Sequence, residues 1–189
     1  MREKSFAVSA AAFLALAVLY FFDDELLIPA LIPAVIAHEA GHALFLRIGG
    51  ARVRRMALDM KGLRMDYSGD ISRMSEAAAI LAGPFMGLLY AAVSARLGQL
   101  LERDFLLFSS GLSLALSLFN LIPARPLDGG RFLALLTGEG KPLRALELCA
   151  ALGLMSAGLW ALWRGYGSGL CVSGAWLLLA WGENPCKTA

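Results

Sequence analysis

The sequence predicts an all-α polytopic membrane protein of about six transmembrane helices with a small β-hairpin on its cytoplasmic side. Three observations lead there. Hydrophobic residues make up 58% of the 189-residue chain, where soluble domains have about 45–50%. Charged residues make up 17% and the mean hydropathy is +0.65, so a soluble fold would lack the polar side chains to cover its surface. The apolar residues are also gathered into stretches approaching the roughly 20 residues that cross a bilayer. The same apolar mass excludes disorder. A net charge of +2 gives no argument for nucleic acid. No repeat, low-complexity tract or linker divides residues 1–189, which read as a single integral membrane domain.

Taken in order, the apolar stretches run over 6–22, 26–48, 77–97, 105–122, 143–163 and 169–181. Arg2 and Lys4 before the first suggest a signal peptide. No clean small-x-small cleavage site precedes Asp23-Asp24-Glu25, so the run is read as an uncleaved helix. Between the second and third stretches, apolar residues alternate: Val53, Met56, Leu58 and Met60, then Leu63, Met65 and Tyr67 around Lys61-Gly62. That period suits a hairpin, with an amphipathic surface loop as the alternative. Six crossings place both termini on one side, and that side then carries 14 of the 17 Lys and Arg residues. The positive-inside rule makes it the cytoplasm.

The other features read blandly. Trp160, Trp163, Trp176 and Trp181 near the ends of the last two stretches suit interface anchors. Gly165, Gly167, Gly169 and Gly174 suit close helix packing. Three cysteines with no CxxC pair give no disulfide framework, and Cys149 and Cys171 read as inert core residues. Glu147, in the fifth stretch, has no assigned role beyond pairing with Arg144 or snorkelling.

Chemistry concentrates in two segments. The second stretch holds both histidines of the chain in His38-Glu39-Ala40-Gly41-His42. Positions i and i+4 share a helical face one turn apart. Two imidazoles there can hold one Zn²⁺, and the glutamate between them can serve as a general base for water. Ionisable groups inside a bilayer cost about 2.5–3.5 kcal/mol each even on lenient scales, so grouping three without function is expensive. A catalytic zinc takes a third protein ligand, which must be a carboxylate or a cysteine. The fourth stretch ends in Asn120-Leu121-Ile122-Pro123-Ala124-Arg125-Pro126-Leu127-Asp128-Gly129-Gly130-Arg131. Its prolines stop the helix and place Asp128 on a loop at membrane depth, a position allowed only inside protein or beside water. Asp128 is the best third ligand; its alternative is the N-cap of a short helix starting near Arg131. Both segments lie at the cytoplasmic end of their helices, with the histidines roughly 8–14 Å deep.

At these residues the chain resembles the site-2 proteases, intramembrane zinc metalloproteases, and within them the sporulation-type subgroup. Leu81-Ala82-Gly83-Pro84 is similar to a Gly-Pro element of that family. The resemblance spans roughly residues 26–135. It implies one Zn²⁺ held by His38, His42 and Asp128, with Glu39 as general base and Asn120 supporting catalysis near the scissile bond. A helix C-cap is the alternative for Asn120. Many family members carry Asn where this chain has Gly87, and neither a PDZ-like insert nor a nucleotide-binding regulatory domain is expected here. The implied reaction is hydrolysis of membrane-embedded or membrane-tethered proteins, such as transcription-factor or sigma-factor precursors or their membrane inhibitors. The expected partners are a membrane protein substrate and the lipid bilayer, with room for an inhibitory or regulatory membrane partner. The rival class is a divalent-metal transporter using the same His and Asp ligands, against which stands the absence of repeats.

Overall fold

The computed structural model describes residues 5–8, 26–59 and 62–183. Six helices and three strands form among them: β1 (Ser5–Val8), α1 (Leu27–Ile48), β2 (Arg52–Asp59), β3 (Gly62–Ser68), α2 (Arg73–Leu101), α3 (Asp104–Asn120), α4 (Asp128–Thr137), α5 (Lys141–Trp163) and α6 (Gly169–Glu183). Of these helices α1, α2 and α5 are long and apolar enough to cross a membrane, while α3 and α6 are shorter apolar helices. The chain divides into two compact units, Met1–Leu118 and Phe119–Ala189.

In the first unit β2 pairs antiparallel with β3, Met56 opposite Met65 and Leu58 opposite Leu63, with a register shift between Val53 and Arg55. The alternating residues fall on these two strands except Met60, which with Lys61 of the expected turn lies outside the described residues. A third strand was not expected. Ser5–Val8 runs parallel to β2, Phe6 beside Met56 and Val8 beside Leu58, so residues 6–8 do not begin a helix. Phe6 and Val8 are β-favouring side chains, and the ladder satisfies their backbone without a helical partner. The remainder of that apolar run, to Phe22, lies outside the described residues.

Helix α1 buries Ala30, Ala34, His38 and Gly41 along one face, while Ile32 and Ile36 on another are more than half exposed. The 30, 34, 38, 41 spacing is the 3.6-residue helical period. Small residues on that face let α1 and α2 pack extensively. Arg47 lies in the last turn of α1, where a cation suits the helix dipole. Helix α2 starts at a Ser72 cap, whose hydroxyl accepts from the Ser75 N–H at 3.1 Å. Leu46, Ala51 and Ala79, with Phe45 and Ile71 against them, seal the junction between α1, β2 and α2.

Helix α3 adds a polar stripe inside an apolar helix. Ser109, Ser110, Ser113 and Ser117 are all buried. Ser109 donates to the Ala30 carbonyl at 2.7 Å, Ser110 to Ala91 at 2.8 Å and Ser113 to Gly87 at 2.9 Å. These three hydroxyls bond main-chain oxygens of α1 or α2, and Ser117 donates to the Ser113 carbonyl of its own helix at 2.8 Å, which meets the requirement that buried polar groups be satisfied.

In the second unit α5 and α6 pack extensively. A Cβ on Gly158 would run into the Cys171 backbone, and one on Gly174 would lie 2.7 Å from the Met155 nitrogen. Of the four glycines read as packing residues, Gly174 packs. Gly165 and Gly167 adopt φ +79° and +95° and form the turn between α5 and α6, with open space around them, as there is around Gly169. Trp181 donates to the Arg144 carbonyl at 3.1 Å and lies 4.5 Å beneath its guanidinium, closing the other end of this helix pair. Trp160 and Trp163 are mostly exposed. Cys149 is exposed rather than core.

Gly158→Ala forces the α5 and α6 backbones apart, and overpacking of this kind costs about 1–3 kcal/mol. Gly153→Ala, where a Cβ meets nothing within 4 Å, is the matched control. Thermal denaturation in detergent is expected to show a lower midpoint for the first and no loss for the second. Equal midpoints would refute backbone contact at Gly158.

Candidate metal centre

The two histidines leave adjacent turns of α1 and turn the same nitrogen toward each other. Their Nε2 atoms are 3.2 Å apart, with ring centroids 4.9 Å apart and planes at 79°. Two nitrogens at about 2.05 Å from one tetrahedrally bound zinc stand about 3.3 Å apart, so this pair fits one edge of such a site. His38 is 4% exposed and the other ring is half-buried.

His42 is oriented from outside its own helix. Its Nδ1 lies 2.8 Å from the Ala79 carbonyl on α2. A carbonyl only accepts, so Nδ1 carries the proton and Nε2 is the basic, ligating nitrogen. A second hydrogen bond that sets tautomer and ring direction is a regular companion of metal-binding histidine. The ring reaches α2 because α2 has no side chain there: a Cβ on Gly83 would run into the His42 ring. The reverse holds at Gly41, where a Cβ would run into the Ala82 carbonyl. Pro84 follows immediately and, lacking an N–H, cannot bond the Ile80 carbonyl next to Ala79. The Gly-Pro pair is thus a packing surface for the second histidine, and Pro84 leaves one gap in the hydrogen-bond ladder of an otherwise continuous α2. Glu39, one residue on from His38, is half-buried on α1.

The second unit holds the other expected groups. Asn120 is the last residue of α3 and is half-buried. The chain then leaves helical geometry through Pro123 and Pro126 and enters α4 at Asp128. The N-cap of α4 is Leu127, and no side chain caps it. Asp128 is therefore the first helical residue, not the N-cap that was its alternative role, and the helix begins three residues before Arg131. Its side chain is buried, with one carboxylate oxygen 3.6 Å from the Arg131 guanidinium. Gly129 and Gly130 allow this tight entry, since a Cβ on either would run into main-chain atoms of Leu121 or Ala124.

Residues 10–140 match the family model described as Peptidase M50B-like. The chain belongs to that family. The resemblance of the chain to the site-2 proteases is thereby established, while the sporulation-type subgroup is a finer assignment. A curated relative in Methanocaldococcus jannaschii, "Zinc metalloprotease MJ0392", is 31% identical over 127 residues. The alignment covers 64% of this chain and 37% of that protein, so the chain spans little over a third of its relative. A solved structure titled "Site-2 Protease from Methanocaldococcus jannaschii" has the same fold, with a TM-score of 0.65 at 22% identity, covering 97% of this chain and 92% of that one.

Within this M50B-like member two features had escaped sequence reading. At Gly87, where many of the family are expected to carry Asn, a Cβ would run into the Ser117 hydroxyl and lie 3.7 Å from His38 Nδ1. The missing side chain makes room for the end of the α3 serine stripe. Serines at 109, 113 and 117 fall at i, i+4 and i+8 in an apolar helix, a signal visible in the sequence. The second feature is Glu147, which is 4% exposed and pairs with Arg125 rather than Arg144. Its Oε1 accepts from Arg125 Nε at 2.7 Å and from the Arg125 backbone N–H at 3.2 Å. An acid within an apolar helix demands a partner, and an arginine between two prolines was the unmatched cation.

Gly83→Ala is expected to push the His42 ring off its bond to Ala79 and weaken zinc binding by about 10–100-fold, the usual effect of disturbing a ligand's hydrogen-bond partner. Gly111→Ala, with nothing within 4 Å of its Cβ, should leave it unchanged. Competition with a chromogenic chelator measures both. Wild-type affinity in the Gly83 variant would rule out this seating of the ring.

Proposed function

We propose that this chain is an intramembrane zinc endopeptidase that cleaves membrane-embedded or membrane-tethered proteins. The observation that carries the reading is the His38–His42 pair, its Nε2 atoms 3.2 Å apart and His42 held in the ligating tautomer by Ala79. Membership of the M50B-like family supports the same chemistry. Asp128 completes the ligand set in this reading. Its carboxylate is buried and lies within the stretch the family model matches.

Bound zinc supplies Lewis acidity, polarising the scissile carbonyl and making water acidic enough to attack near neutral pH. Glu39 takes the proton from the attacking water and returns it to the leaving amine nitrogen. The Asn120 amide donates a hydrogen bond to the carbonyl oxygen as negative charge builds there. His42, tied through Nδ1, keeps its lone pair aimed while these protons move.

In the membrane the reading has six crossings: five described apolar helices, together with the run ending at Phe22. Both termini face the cytoplasm in this reading, which the lysine and arginine distribution supports. The active site lies nearer that face, within a single protease domain of the sporulation-type plan. The substrates are those of regulated intramembrane proteolysis: membrane-held precursors of transcription or sigma factors, or their membrane inhibitors.

Glu39→Gln tests the mechanism. It should retain zinc and lose cleavage of a co-expressed membrane substrate by about 10²–10⁴-fold, the range for removing a general base. Cleavage at the wild-type rate would sink the reading. A divalent-metal transporter built on the same ligands has no need of Glu39, so undiminished metal flux into vesicles by the variant would replace the protease with that alternative.

A further inference from the structure

The loop that leads into Asp128 is held by a residue on another helix. Between the end of α3 and the start of α4, Pro123 and Pro126 offer no N–H. Local bonds join Ala124 N–H to the Ile122 carbonyl at 2.8 Å and Leu127 N–H to the Ala124 carbonyl at 2.8 Å. Arg125, at the centre, has its backbone N–H bonded to Glu147 and its side-chain Nε bonded to the same carboxylate oxygen. The opposite side of the loop is closed by Gly129 and Gly130, which lie against the Leu121 and Ala124 main chain. Ala124 and Leu127 pack into a core with Ala151 and Leu177. Packing alone fixes how deep this loop sits; the two bonds to one carboxylate oxygen fix how it is turned about its own axis.

We propose that Glu147 is a positioning residue for the metal site, setting the direction of Asp128 through Arg125. The proposal rests on the reading of Asp128 as a zinc ligand. Asp128 is three residues from the only point at which α5 bonds this loop among the described residues. The buried acid is matched by one cation, and one atom of it serves both main chain and side chain. An amide at position 147 still presents an oxygen to both donors; a hydrocarbon presents none. The two substitutions therefore separate acceptor geometry from bulk.

The test compares Glu147→Gln, Glu147→Leu and Asp128→Ala in full-length protein. The readouts are zinc affinity by chelator competition, thermal midpoint, and hydrogen exchange of residues 121–127. Glu147→Leu should weaken zinc binding by about 10–100-fold and speed exchange of the Arg125 amide. Glu147→Gln should stay within about threefold of wild type in zinc affinity, since the acceptor that orients the ligand's loop survives. Folded Glu147→Leu protein with wild-type zinc affinity overturns the proposal, whether or not its exchange rises. If that variant does not fold, Glu147→Ala, which removes the same acceptor with less bulk, takes its place, and wild-type zinc affinity in that folded protein overturns the proposal. Unchanged zinc affinity in Asp128→Ala refutes the ligand assignment itself, a separate result from the loop exchange that reports on Glu147.

Discussion

Helix α1 must approach α2 at backbone distance, and much of the first unit follows from that. Apolar helices in lipid gain no hydrophobic advantage by meeting, so close packing of small residues has to supply the attraction. Gly41 against the Ala82 carbonyl and Gly83 against the His42 ring show how near the two surfaces come. A helix pair held further apart by leucines would leave the Ala79 carbonyl out of reach of Nδ1. His42 would then choose its tautomer and ring direction by chance. The same contact that joins two helices therefore decides which nitrogen is available for a metal.

Several buried polar groups in the described apolar helices are tied to main-chain or charged partners on neighbouring segments. The α3 serines bond carbonyls on α1 and α2, and Tyr90 adds a 2.9 Å bond to Ser109. These hydroxyls fix the rotation of α3 about its axis, which apolar packing defines poorly. Glu147 and Arg125 do the corresponding work in the second unit. An orphaned partner in such a pair is strongly destabilising, by about 3–5 kcal/mol, although replacing both with hydrocarbon is often neutral. A charged pair at this place therefore speaks for geometry over stability.

Local patterns carried much of this structure in the sequence, and long-range matches carried the remainder. Helices α1, α2, α3, α5 and α6 lie within a few residues of the apolar stretches that foretold them, because hydropathy runs and proline stops are local. His38 and His42 were legible for the same reason, since a four-residue spacing is a helix property. The strand at Ser5–Val8 was not, because its ladder depends on β2 nearly fifty residues away. Nor was the partner of Glu147: Arg144 is three residues off in sequence, but Arg125 carries the backbone N–H that prolines on either side cannot supply. The packing role of Gly158 was hidden because a glycine in a helix shows nothing of the surface that meets it.

The Arg125–Glu147 pair has a consequence for how the protein is made. Translation produces Arg125 first, on a loop beside the membrane, and Glu147 twenty-two residues later on the helix that follows. An acid entering the bilayer unaccompanied carries a penalty of about 2.5–3.5 kcal/mol. When α5 enters, its counter-charge is already waiting on the segment just completed. The pair that would ease entry of this helix is also the one that ties it to the loop leading into Asp128.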